Sequence, residues 1–122
     1  IAPKHWKYKP YSACNASFTY HIIDRLASFC KQQQCNLFLV ISPMYSKGAE
    51  SVINKEEILN NIYNCSLKNK IPFFNYLDDS TFKSPYLYAD PYHLNENGAT
   101  KFSLKFAHDI RPFFMKKNPE KP

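Results

Sequence analysis

Asp90 and His93 stand three positions apart, with Pro91 and Tyr92 between them, just ahead of a segment from Leu94 through Ala99 that reads as the start of a helix. A carboxylate at that spacing accepts a hydrogen bond from one imidazole nitrogen and fixes the tautomer. The other nitrogen is then free to take a proton from a nucleophile. The competing structural reading has Asp90 satisfying loop N–H groups while His93 caps the helix or packs under Tyr92. The loop-before-helix context favours the base-and-orienter reading.

The attacking group is not evident. Ser42 and Ser46 are the internal serines within reach of a strand end, but neither sits on a nucleophile turn. Their segment, Ser42-Pro43-Met44-Tyr45-Ser46-Lys47-Gly48, follows an apolar run, at the carboxyl end of a predicted strand, where open α/β sheets place ligand-binding loops. Tyr45, Ser46 and Lys47, together with Tyr92, are therefore candidate substrate contacts; the alternative is an ordinary strand-to-helix turn shaped by Pro43 and Gly48.

The run Asp90-Pro91-Tyr92-His93, continued by Leu94-Asn95 and then Gly98-Ala99, Phe102 and Ser103, resembles the last block of the SGNH (GDSL-like) hydrolases, especially the branch acting on acylated cell-envelope polysaccharides. The resemblance extends over residues 36–113. It implies a three-layer, flavodoxin-like parallel sheet flanked by helices, with Asp90 and His93 as two members of a catalytic triad. It also implies an ester or acylated carbohydrate as substrate and an extracytoplasmic setting. The family's Gly-Asp-Ser nucleophile block and its oxyanion Gly and Asn blocks are not visible: the two glycines, Gly48 and Gly98, precede no Asp-Ser pair. The serine is thus expected from outside these residues, and the chain is expected to be the C-terminal portion of such a domain. A non-catalytic carbohydrate- or protein-binding remnant of the same fold is the alternative.

The elements that would hold this site are legible as periodicity. Residues 1–16, rich in Pro, Tyr and Lys, form an N-terminal arm with a short extended piece near Trp6 to Lys9. Phe18, Ile22, Leu26, Phe29 and Cys30 predict an amphipathic helix over 17–34 with that face inward. Residues 37–41 are a continuous apolar run, as in a strand buried on both faces. Ser51 is a candidate N-cap for a helix to about Leu67, marked by Ile53, Ile58, Ile62 and Cys65. Residues 71–76 predict a second strand with Pro72 at its start, and a long aromatic loop leads to Asp90. A last helix begins near Glu96 or Ala99, with Asn95 as its cap and Gly98 relieving crowding; Ala99, Phe102, Phe106 and Ile110 face inward, and Pro112 ends it. The α/β domain spans 17–113 and a basic tail spans 114–122. Two parallel strands rarely make a stable sheet, so the remaining N-terminal part of the domain, a second copy at the sheet edge, or the arm is expected to complete it.

Composition fits one globular domain: 122 residues, 44% hydrophobic and 21% charged. The chain opens at Ile1 rather than Met, as a processed product or a piece of a longer protein would. No apolar run approaches the roughly 20 residues a transmembrane helix needs. The net charge of +6 is spread thinly over terminal lysines (Lys4, Lys7, Lys9, Lys116, Lys117 and Lys121), without a nucleic-acid-binding motif, so no nucleic-acid partner is expected. Cys14, Cys30, Cys35 and Cys65 lack zinc-knuckle spacing; Cys30, Cys35 and Cys65 read as small buried side chains, and a disulfide between Cys14 and another of them is open in an oxidising compartment. No metal or organic cofactor is required by the expected chemistry. Asn15-Ala16-Ser17 and Asn64-Cys65-Ser66 match glycosylation acceptor patterns. His5, His21 and His108 read as structural or solvated.

Overall fold

The computed structural model describes residues 5–115. The first four residues of the arm, including Lys4, and the tail lysines Lys116, Lys117 and Lys121 lie outside the described residues. The chain is mixed α/β. Helix α1 (Ser17–Gln32) leads to strand β1 (Leu39–Ile41), the short helix α2 (Ser46–Glu50), α3 (Lys55–Asn69) and strand β2 (Phe73–Asn75). Two single-turn 3₁₀ segments, Ser80–Phe82 and Pro85–Leu87, then precede β3 (Tyr88–Asp90), β4 (His93–Leu94) and α4 (Glu96–Phe114). Among the described residues, no helix is long and apolar enough to cross a membrane.

β1 and β2 pair in parallel, Leu39 opposite Phe73 and Ile41 opposite Asn75, joined by a crossover containing α2 and α3. The Leu39 N–H donates to the Pro72 carbonyl and the Ile41 carbonyl accepts from the Tyr76 N–H, each at 3.0 Å. Peptide groups alternate along a strand, so the Val40 N–H and C=O point to the opposite edge, which carries no strand among the described residues. Val40, predicted to be buried on both faces, is 39% exposed.

The helix boundaries shift in informative ways. Pro112 lies inside α4 and does not end it: in the last turn its missing N–H leaves only the carbonyl of exposed His108 unpartnered within the helix, a small loss beside water. Ser51 does not cap α3. Asn54 precedes that helix, and Ser51 is buried between α2 and the loop containing Tyr92. Lys70 ends α3 in the left-handed region, at φ 54°. Ala99 is exposed, while Phe102, Phe106 and Ile110 on α4 are half-buried.

α1 departs most from expectation. Its polar side faces α3: Asp24 accepts hydrogen bonds from Lys68 at 2.8 Å and from Asn69 at 2.7 Å. Its apolar face, Phe18, Ile22, Leu26 and Phe29, is exposed, Phe18 by 61%. The 3.6-residue spacing correctly marks one face, but among the described residues the two-stranded sheet offers it no surface to cover.

The core is aromatic and lies under the Asp90 loop. Buried Tyr76, Phe82 and Tyr88 are packed by Trp6, Tyr45, Phe74, Leu87, Leu94, Phe102 and Phe106. Trp6 meets Tyr45 edge to face at 5.6 Å and Tyr76 meets Phe102 likewise at 5.1 Å, spacings at which aromatic quadrupoles attract. The arm therefore packs on the domain. Its bridge to the body is Tyr11, parallel to Val52, rather than a piece at Trp6 to Lys9.

Candidate active site

Asp90 and His93 occupy a tight antiparallel hairpin, β3 to β4, with Asp90 paired to His93. Asp90 Oδ1 accepts the backbone N–H groups of Tyr92 and His93, each at 2.8 Å, which ties the carboxylate to the turn. The Nδ1 of His93 lies 2.9 Å from both carboxylate oxygens. An ionised carboxylate only accepts, so Nδ1 carries a proton, and in the neutral imidazole Nε2 presents its lone pair. Burial works to raise the Asp90 carboxyl, but hydrogen bonds from Tyr92 and His93 and the charge of the imidazole outweigh it and hold Asp90 below the ordinary carboxylate range. The His93 side chain is 76% exposed, and Nε2 has no hydrogen-bonding partner among the described residues.

The loop after β1 is docked against this hairpin. The Tyr45 N–H donates to the Pro91 carbonyl at 3.2 Å. Gly48 on α2 sits so close to Pro91 that a Cβ there would collide with the Pro91 carbonyl oxygen. Ser51, 6% exposed, donates to the Gly48 carbonyl at 2.6 Å and lies 3.1 Å from the Tyr92 hydroxyl, and Tyr11 meets the Tyr92 ring edge to face at 5.8 Å. Tyr92 is thus held from two sides. Tyr45 is half-buried among Trp6, Tyr8 and Tyr88, whereas Ser46 and Lys47 are exposed on the first turn of α2.

The hairpin is also anchored from α4. Asn95 accepts from the Gly98 N–H at 2.9 Å as the N-cap and donates to the Tyr86 carbonyl at 2.7 Å, while its own N–H donates to the Leu87 carbonyl at 2.9 Å. A Cβ at Gly98 would collide with that Leu87 carbonyl. His93 neither caps the helix nor lies under Tyr92.

Sequence reasoning placed Tyr92 and the loop after β1 near the dyad but gave Ser51 the wrong task and overlooked the β3–β4 hairpin. The alternation around Asp90 is too short to register as strand, and Ser51 looks like any helix-capping serine until Tyr92 is brought beside it across 41 positions. Cys65 is buried as expected; Cys35 is exposed, and Cys30 is half-buried. Comparison of this chain with protein families, with characterised proteins and with solved structures returned no match.

Proposed function

We propose that this chain is the C-terminal part of an SGNH-like serine esterase or O-acyltransferase acting on an acylated carbohydrate or similar ester. The observation that carries the reading is the symmetric clasp of Asp90 on Nδ1 of His93 at 2.9 Å, which presents Nε2 outward beside the loop that follows β1. In this reading a serine from outside the chain gives its proton to Nε2 as its oxygen attacks the ester carbonyl. Asp90 stabilises the resulting imidazolium, and the alcohol leaves with that proton, giving a serine ester. Water or a sugar hydroxyl then releases the acyl group, His93 again taking and returning the proton. Tyr45, Ser46, Lys47 and Tyr92 supply substrate contacts.

The same proposal accounts for the two unsatisfied surfaces. A flavodoxin-like sheet would continue beyond β1, on the edge where the Val40 peptide groups meet no strand among the described residues. Its covering elements would pack on the Phe18, Ile22, Leu26 and Phe29 face of α1. The remaining N-terminal part of the domain, or a second copy at the sheet edge, is the proposed source, in an extracytoplasmic setting.

A non-catalytic binding role is favoured by one observation only, that no hydroxyl is hydrogen-bonded to Nε2 among the described residues. A serine-directed fluorophosphonate separates the two readings. The full-length protein is expected to take up one label and lose hydrolysis of an acetylated sugar, whereas residues 1–122 alone remain unlabelled. A full-length protein with neither label nor hydrolysis supports the binding reading.

A further inference from the structure

The C-terminal end of α1 brings the backbones of two cysteines, Cys30 and Cys35, together. Gln34 is left-handed, at φ 56°. The Gln34 N–H donates to the Lys31 carbonyl at 3.2 Å, and the Cys35 N–H donates to the Cys30 carbonyl at 2.8 Å. This pair of bonds is the Schellman cap, in which a contact between the side chains at the two ends of the six-residue bond is frequent. Here both are cysteines. With standard backbone dimensions on either side, the 2.8 Å bond caps the Cα–Cα separation at about 6.7 Å, within the roughly 4.4–6.8 Å that disulfides span. Both residues line one groove beside Phe38, Ile71 and Phe113, Cys35 exposed and Cys30 half-buried. Among the described residues the Cys35 thiol is held only by a long contact of 3.7 Å to the Gln33 carbonyl, which a side-chain rotation breaks. Cys65, by contrast, is buried, its thiol directed to Asp24 and the Tyr20 carbonyl.

We propose that Cys30 and Cys35 form a reversible intrachain disulfide that locks the cap of α1 to the lead-in of β1. The oxidant is a low-molecular-weight disulfide. The exposed Cys35 thiolate attacks one of its sulfurs and expels one thiolate; Cys30 thiolate then attacks the Cys35 sulfur of the mixed disulfide and expels the second. Two protein thiols lose two protons and two electrons, and the small disulfide becomes two thiols. α1 has no fully buried residue, so a covalent tie at its end holds a helix that packing alone holds weakly.

The test is to equilibrate the full-length protein, folded, with oxidised glutathione, alkylate the remaining thiols and digest with trypsin. Cleavage after Arg25, Lys31 and Lys47 separates the two cysteines onto residues 26–31 and 32–47. The expected result is one cross-linked pair of these peptides, lighter by two hydrogens and released by dithiothreitol. It should persist in Cys14→Ser and Cys65→Ser and vanish in Cys35→Ser, where Cys30 is recovered alkylated. Recovery of both wild-type peptides as free alkylated thiols overturns the proposal. So does pairing with Cys14 or Cys65 in the same proportions as in guanidinium-unfolded protein.

Discussion

Gly48 abuts Pro91 with no room for a methyl group between them, so α2 and the hairpin carrying Asp90 and His93 are one packed unit. Gly48→Ala must push them apart, because the colliding atom is a backbone carbonyl and not a flexible side-chain end. Overpacking of this kind costs about 1–3 kcal/mol. Urea denaturation should show that loss, and the His93 imidazole resonances should shift although the mutated residue does not touch the ring.

Asn95 joins the hairpin to α4 through both ends of its amide. Asn95→Ala removes the cap to Gly98 and the bond to the Tyr86 carbonyl, and should destabilise by about 1–2 kcal/mol. Asn95→Asp keeps the cap acceptor, loses the donor, and should fall between wild type and Ala. A lowered denaturation midpoint with an unchanged slope checks both.

The lowered pKa of Asp90 sets the sign of its pH dependence. Since the folded value lies below the unfolded one of about 3.9, the carboxylate contributes stability above the unfolded value, and that contribution is lost as pH falls through the folded one. The stability difference between wild type and Asp90→Asn should therefore shrink as pH falls below about pH 4. The carboxylate is 48% exposed, so solvent screening keeps the difference small.

The buried phenols behave oppositely. Burial pushes Tyr88 up to about 12, and burial with the neighbouring Asp109 carboxylate raises Tyr76 further. Neutral phenols that resist ionisation when folded contribute stability below about pH 10, and the contribution is lost as pH rises through the folded value. Phenolate absorbance should show Tyr76 and Tyr88 silent until alkaline unfolding releases them. Tyr76→Phe, which removes the 2.7 Å bond to Asp109, should cost about 1.5–3 kcal/mol at neutral pH.

What the sequence shows best is what local spacing decides. The Asp90 turn, the Asn95 cap, the tight Gly98 and the β1–α3–β2 order each follow from residues a few positions apart. The orientation of α1 does not. Its apolar stripe is plain, but which way it faces depends on how wide the sheet is, and no pattern within 17–34 carries that information. Ser51 is misread for a related reason: its partner, Tyr92, is distant in the chain, and a capping serine and a buried tether look alike until the long-range contact is known. Pro112 shows the limit of breaker rules near a helix end, where a missing donor leaves only one solvent-facing carbonyl unpaired.

His93 as the proton acceptor is tested most directly by the rate of acetyl-sugar ester hydrolysis in the full-length protein, wild type against His93→Ala. An exposed imidazole can be removed without unfolding the hairpin, which Asp90 still ties through the Tyr92 and residue-93 backbone N–H groups. The rate is expected to fall by roughly 10²–10⁴-fold at unchanged stability. A folded His93→Ala protein that hydrolyses the ester at the wild-type rate contradicts the assignment.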